Sequence, residues 1–198
     1  MASIIAIVPV VTAAAPATPT ILVFGDSLSS AYGIATSRGW VALLDARLKR
    51  EGADYSVVNA SISGETTRGG LARMPAVLAR VQPAVVILQL GSNDGLRGLP
   101  IDRMQYNLAA MIEQAKHAGA RVLLVGMKLP ANWGPEYTEA FEAAYTTLAS
   151  THGTALLPFL FDGLEDGPAH FLPDGLHPSE AAQPIILDTV WTPLRPLL

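Results

Sequence analysis

A serine hydroxyl becomes a useful nucleophile only when a base takes its proton, a carboxylate orients that base, and donors await the developing oxyanion. Residues fit for each task are spread along the 198-residue chain. The apolar run Ile21-Leu22-Val23-Phe24 leads straight into Gly25-Asp26-Ser27, which leaves a hydroxyl at the end of a strand-like segment. Far downstream, Asp174-Gly175-Leu176-His177 sets a carboxylate three residues before an imidazole. Folded into a tight turn, that spacing lets Asp174 reach Nδ1 and leaves Nε2 free to face a serine. A second histidine, His170, has Asp166 four residues before it, but Gly167 and Pro168 loosen the connection. His177 is therefore the preferred base. His117 and His152 each lie near a glycine that ends a helical stretch, where an imidazole complements the helix dipole.

Donors for an oxyanion come from other segments. Asn93 brings a side-chain amide, Gly64 a backbone N–H with no Cβ in the way, and Ser27 its own N–H. Each feature alone has a plainer explanation. Ser27 could cap a helix, although the following "SLSSAYG" starts no strong helical pattern. Asn93-Asp94-Gly95 and Asp174-Gly175 are ordinary turn sequences. Asp26 and Asp94 read as structural carboxylates that bind nearby backbone N–H groups.

What lifts these residues above the plain reading is the set of elements that must position them. Ile21–Phe24, Ser56–Asn59, Val85–Leu90, Arg121–Gly126 and, more weakly, Thr154–Leu157 are short apolar runs rich in β-branched residues. Continuous rather than alternating hydrophobicity suits parallel strands covered on both faces. Helical patterns separate them, in "GWVALLDARLKREG", "TTRGGLARMPAVLARVQP", "IDRMQYNLAAMIEQAKHAG", "PEYTEAFEAAYTTLASTHG" and "SEAAQPIILDTVWTPL". Gly69, Gly70 and Pro75 weaken the second of these. Strict alternation of strand and helix predicts an α/β fold, a three-layer α/β/α sandwich on a five-stranded, mainly parallel sheet. Right-handed crossovers then gather the strand C-termini on one edge. Ser27, Gly64, Asn93 and the Asp174–His177 loop all fall on that edge. So does the loop "LPANWGPEY", which makes Leu129, Trp133 and Tyr137, with Phe159 of "LLPFLF", candidate walls for an acyl group. The alternative for Trp133 and Phe159 is ordinary packing. Arg97 is read as an exposed salt-bridge partner rather than a head-group contact.

Composition narrows the field further. Half the residues are apolar and 15% are charged, as in a globular domain, and the net charge of −4 gives no reason to expect nucleic acid. Cysteine is absent, which excludes disulfides, thiolate nucleophiles and Cys-ligated zinc. The histidines have no metal-ligand spacing, so no metal is expected. Residues 1–19 stand apart. The apolar run Ile4–Val11 is too short to span a bilayer, and small residues follow it. The segment fits a secretory signal cut near Ala13-Ala14-Ala15 or Ala15-Pro16-Ala17, without the usual basic start, or else a disordered tail.

Taken in order, Gly25-Asp26-Ser27-Leu28, Gly64, Gly91-Ser92-Asn93-Asp94 and Asp174-Gly175-Leu176-His177-Pro178 resemble the conserved blocks of the SGNH (GDSL) hydrolases. The resemblance covers about residues 20–198. "GDSLSSAYG", "NASISGETTRGGLARMP" and "LPANWGPEYTEAF" are similar to the bacterial branch of thioesterases, lysophospholipases and arylesterases. Ser92 departs from the glycine often found there. The resemblance implies a flavodoxin-like sheet, a Ser27–Asp174–His177 triad and an oxyanion hole from Ser27, Gly64 and Asn93. It also implies hydrolysis of acyl thioesters and carboxylic esters through an acyl-serine, with no cofactor, by a monomeric periplasmic or secreted enzyme. A carbohydrate O-acetyl esterase and a non-catalytic flavodoxin-like binding module are the alternatives. Gly-x-Ser-x-Gly, Gly-x-Gly-x-x-Gly after the first strand and the P-loop sequence are all missing, so neither a nucleophile elbow nor a nucleotide site has a motif behind it.

Overall fold

A computed structural model describes residues 18–165 and 167–198. The leader expected at residues 1–19 lies almost wholly outside this range, as does Asp166. The apolar runs form β1 (Thr20–Gly25), β2 (Ser56–Asn59), β3 (Val85–Gln89), β4 (Arg121–Val125) and β5 (Ala155–Leu157). The helices are α1 (Trp40–Arg50), α2 (Thr67–Val81), α3 (Ser92–Leu96), α4 (Ile101–His117), α5 (Pro135–His152) and α6 (Gln183–Leu194). Every strand pair is parallel, in the order β2-β1-β3-β4-β5. Val23 lies between Asn59 and Ile87, and Ile87 lies beside Leu123.

Burial explains why the central strands read as unbroken apolar runs. Ile21–Phe24 of β1 and Val85–Leu88 of β3 are 0% exposed, because helices cover both faces. With right-handed crossovers, α1 and α6 pack together on one face while α2, α4 and α5 cover the other. Apolar positions recur at helical spacing to fill these layers, as in Val41, Leu44 and Leu48 of α1 or Met104, Leu108, Met111 and Ala115 of α4. Burying each of these valine, leucine and methionine side chains contributes about 1.5–3 kcal/mol.

Two local departures from the sequence pattern have clear causes. α2 continues through Gly69, Gly70 and Pro75 because tertiary contacts override weak propensity. The Thr66 hydroxyl caps it by accepting from the Gly69 N–H at 3.4 Å, and Gly70 sits against Leu90, Met111 and Phe24. Asn93-Asp94-Gly95, which taken alone suits an ordinary turn, lies in the short helix α3. Gly91 adopts φ +118°, and a side chain there would run into the Tyr145 hydroxyl and the Met104 sulfur, so the chain can reverse at this point only with glycine.

The strand order creates a switch point. From β1 the chain leaves toward β2, and from β3 it leaves toward β4, so a crevice opens beyond the C-terminal ends of these adjacent strands. Ser27 follows β1 and Asn93 follows β3. Topology alone therefore sets both at the crevice.

Candidate active site

Immediately after β1 the chain folds tightly around Asp26. The Asp26 carbonyl accepts from the N–H groups of Ser29 (3.3 Å) and Ser30 (3.0 Å), and its Oδ1 accepts from the Leu28 N–H at 3.0 Å. Ser27 is thereby lifted onto the rim. The loop between β5 and α6 returns to meet it. That loop is braced by the Leu172 N–H donating to the His177 carbonyl at 2.8 Å and the Ser179 N–H donating to His170 at 2.8 Å.

The two rims meet at His177. Its Nε2 is 2.9 Å from Ser27 Oγ, and its Nδ1 is 2.8 Å from Asp174 Oδ2. Asp174 Oδ1 accepts from the N–H groups of Leu176 (2.9 Å) and His177 (3.0 Å). The three-residue spacing thus makes a turn in which one carboxylate oxygen holds the backbone and the other holds the ring. The His177 and Leu176 N–H groups, then the imidazole, draw the Asp174 carboxyl down to about 2. Ionised Asp174 only accepts, so Nδ1 is the donor and Nε2 is left to accept from the Ser27 hydroxyl. This arrangement can deprotonate a serine without a metal.

The other histidines are engaged elsewhere. His170 Nδ1 lies 3.1 Å from the Glu165 carbonyl, within its own loop. His117 ends α4 and bonds the Glu113 carbonyl, while His152 ends α5 and contacts the Glu113 carboxylate at 2.7 Å. Both helix-end expectations hold.

On the opposite side, Asn93 enters the crevice from α3. Its Nδ2 donates to the Glu65 carbonyl at 3.0 Å and to Asp26 Oδ2 at 3.3 Å, so the amide is fixed where the sequence suggested a free donor. Gly64 adopts φ +78° next to Glu65. The N–H groups of Gly64 and Ser27 have no acceptor among the described residues. Asp26 is fully buried, and burial pushes its carboxyl up to about 6 against the pull of the Leu28 N–H. Asp94 accepts from the Thr67 N–H (2.8 Å) and hydroxyl (2.6 Å), which fastens α3 to the start of α2. Both carboxylates serve the framework, as the sequence suggested, but Asp26 also touches Asn93.

A cavity of about 560 Å³ extends from Ser27 and His177. Leu129 and Phe159 line it as expected, joined by Met127, Phe161, Leu164 and Phe171, which the sequence reading missed. The aromatic run beginning at Phe159 was the available signal, since Phe161 follows two residues later and its ring meets Phe171 at 5.5 Å. Trp133 and Tyr137 do not line this cavity. The Tyr137 hydroxyl donates to the Leu99 carbonyl at 2.8 Å, and Trp133 covers Gly98 and meets the Tyr137 ring at 5.8 Å. Both aromatics instead border a separate depression, together with Gly134, Pro135 and Glu136. Arg97 also differs from expectation: among the described residues it has no carboxylate partner, and it donates to the Gly64 carbonyl at 3.1 Å. Tyr32 is a further omission. Its ring lies 4.4 Å from the His177 ring, and only its place in the loop after Ser27 hinted at it.

Comparison with known proteins gives one family. Residues 23–184 match the GDSL-like Lipase/Acylhydrolase family. "Esterase TesA" of Pseudomonas aeruginosa is 53% identical over 182 residues, covering 92% of this chain and 90% of that protein. "Thioesterase 1/protease 1/lysophospholipase L1" of Escherichia coli is 43% identical over 184 residues, covering 93% and 87%. The crystal structure of the esterase EstA from Pseudoalteromonas sp., inhibited by monoethylphosphonate, superposes with a TM-score of 0.83 at 37% identity, covering 89% of this chain and 97% of that one. A match of this extent, joined to relatives of this identity, fixes membership: the chain belongs to the GDSL-like lipase/acylhydrolase family and is a serine ester hydrolase.

Proposed function

We propose that Ser27 is the nucleophile of a two-step acyl transfer that hydrolyses acyl thioesters as well as carboxylic esters, aryl esters and lysophospholipids among them. His177 Nε2 takes the Ser27 proton as Oγ adds to the carbonyl carbon. The carbonyl oxygen becomes an oxyanion held by the N–H groups of Ser27 and Gly64 and the Asn93 amide, which shares the donor now turned toward Asp26. The bond to the leaving oxygen or sulfur then breaks, and imidazolium returns the proton to it. Asp174 stabilises that imidazolium and fixes the tautomer. Water adds to the acyl-serine, His177 takes a proton from it, and collapse releases the acid and restores the Ser27 hydroxyl.

The observation that carries this reading is the unbroken relay Asp174–His177–Ser27, at 2.8 Å and 2.9 Å, opening directly into an apolar cavity. Leu129 and Phe159 are the acyl contacts carried forward, whereas Trp133 and Tyr137 are not. The relative's names support thioester and lysophospholipid substrates, since the E. coli protein is called both a thioesterase and a lysophospholipase. A carbohydrate O-acetyl esterase fits less well, because an acetyl group would leave most of about 560 Å³ empty. Replacing Ser27 by alanine should lower the turnover of a chromogenic ester by about 10⁵–10⁶-fold with the fold unchanged by circular dichroism. Retained turnover would remove Ser27 from the mechanism. A palmitoyl thioester should be cleaved in preference to an acetylated sugar.

On the same reading the enzyme acts as a monomer, periplasmic or secreted, with residues 1–19 as its export signal; cell fractionation checks the location. Among the described residues no helix is long and apolar enough to cross a membrane.

A further inference from the structure

The oxyanion donors sit on loops, and one of those loops is gripped near both ends by a single side chain. Residues 60–66 join β2 to α2 and carry Gly64. Backbone bonds fasten the first half of this loop to β1. The Ala60 N–H donates to the Val23 carbonyl at 2.8 Å, and the Ile62 N–H donates to the Gly25 carbonyl at 3.0 Å. The second half turns on itself, the Glu65 N–H donating to the Ile62 carbonyl at 3.1 Å, and side chains add to the hold. Ser30 meets the Ser63 hydroxyl at 2.8 Å and Arg97 reaches the Gly64 carbonyl at 3.1 Å, both at exposed positions where water competes for the bond.

Arg73 is placed differently. It comes from the middle of α2, with its guanidinium carbon 3.8 Å from the centre of the Phe24 ring of β1. Nη1 donates to the Ala60 carbonyl at 2.7 Å, and Nε donates to Glu65 Oε2 at 2.7 Å. Only 20% of the Arg73 side chain and 13% of that of Glu65 remain accessible. A planar guanidinium can stack on a ring while its edge donates to two separate acceptors, a combination that a lysine ammonium lacks.

We propose that Arg73 is a positioning residue for the hydrolysis, setting two of the three oxyanion donors without touching the substrate. Gly64 lies between its two grips. The carbonyl of Glu65, whose carboxylate Arg73 holds, accepts from Asn93 Nδ2 at 3.0 Å, so the same hold reaches the amide on α3. The plainer alternative is an ion pair that merely steadies the start of α2. A largely buried pair returns little net stability, because desolvation offsets most of the attraction. Displacing a catalytic group by about 1 Å, in contrast, costs up to about 10²-fold in rate. The effect of Arg73 therefore belongs to geometry. That purpose rests on the reading of Ser27, Gly64 and Asn93 as the oxyanion hole, whereas the grip on the loop does not.

The test is steady-state hydrolysis of a short chromogenic ester by the full-length chain. Arg73→Met keeps an apolar stem beside Phe24 and removes both grips. Acylation and deacylation pass through the same oxyanion, so kcat should fall by about 30-fold with KM changed less than about twofold. With Asn93→Ala already present one positioned donor is gone, and Arg73→Met should then lower kcat by only about three- to fivefold more. Arg73→Lys, which keeps the charge without the fork, should recover part of the rate. A lowered Tm with kcat unchanged in the folded enzyme would overturn the proposal, as would equal factors in the two backgrounds or a loss confined to KM. Should Arg73→Met fail to fold, Glu65→Gln carries the test, since it keeps an acceptor for Nε but not the charge. It should lower kcat by about threefold, and an unchanged kcat would overturn the positioning role. If Asn93→Ala alone keeps its kcat, the oxyanion reading falls and the purpose of Arg73 with it. If Asn93→Ala lowers kcat and Arg73→Met does not, only the positioning role falls.

Discussion

Asp26 and Asp174 bring the same carboxyl group to one serine under opposite conditions. Asp26 lies beneath the rim, wholly buried at the end of β1, and reaches Ser27 as its chain neighbour. Asp174 stands on an exposed loop, with 41% of its side chain accessible, and reaches Ser27 through His177. Burial drives the first up to about 6, whereas two backbone N–H groups and an imidazole drive the second down to about 2. Water rather than sequence proximity decides the difference. Desolvation penalises the buried charge more than its few donors can offset, while a solvated carboxylate loses little and gains every donor. The site thus separates one carboxylate that must stay charged from another whose charge is costly to keep.

Removing the charge from Asp174 should break the comparison most severely. Asp174→Asn retains shape, but the amide can hold His177 in the wrong tautomer, with Nε2 protonated and unable to accept from Ser27. A loss of about 10⁴-fold in kcat is expected, read by steady-state ester hydrolysis. A loss below tenfold would mean that the ring is oriented by something other than Asp174. In the native enzyme this carboxylate has a depressed folded value. Its contribution to stability is therefore present above pH 3.8 and is lost only as pH falls toward about 2. No change in activity between pH 5 and pH 8 should trace to it.

For Asp26 the sign is reversed. A folded value of about 6 against 3.8 unfolded makes the ionised group a burden of about 3 kcal/mol, which is relieved as pH falls through 6 toward 3.8. Between pH 8 and pH 5 the native protein should regain about 1.4 kcal/mol from this group, a rise of roughly 3–5 °C in Tm. Asp26→Asn has no such proton to bind and should lack that increment. Thermal unfolding of both proteins at the two pH values measures it, and parallel curves would place the titration elsewhere.

How much of this was legible before folding follows the same division between local and tertiary causes. The Asp174–His177 turn was readable because its geometry is made by four consecutive residues. The sheet was readable because strands buried on both faces, such as Ile21–Phe24, must be apolar throughout. α3 was not, since the reversal at Gly91 is imposed by Tyr145 and Met104 from α5 and α4, far away in sequence. Trp133 and Tyr137 misled for the same reason. Their composition suited a pocket wall, but contacts with Gly98 and the Leu99 carbonyl, from a distant segment, hold them at a separate depression. Asn93 was correctly placed on the rim, yet its bonds to Glu65 and Asp26 depend on two other loops and could not be read from its own segment.

The exposed carboxylate works beside an imidazole that is better covered, and Tyr32 is part of that cover. Its ring, 51% exposed, covers one side of the imidazole at 4.4 Å and an interplanar angle of 38°. His177 keeps only 20% of its side chain accessible, although its partner Asp174 is open to solvent. Contact between aromatic rings contributes about 0.5–1.5 kcal/mol beyond area burial, which sets the scale of what Tyr32 can do. Tyr32→Ala should therefore lower kcat/KM for a soluble ester by about three- to tenfold, with Tm nearly unchanged because the residue lies at the surface. Tyr32→Phe should restore the rate, since the ring and not the hydroxyl makes the contact. If phenylalanine fails to rescue, the phenol rather than the stacked ring is what the site requires, and the Asp174–His177 pair holds its geometry without aromatic cover.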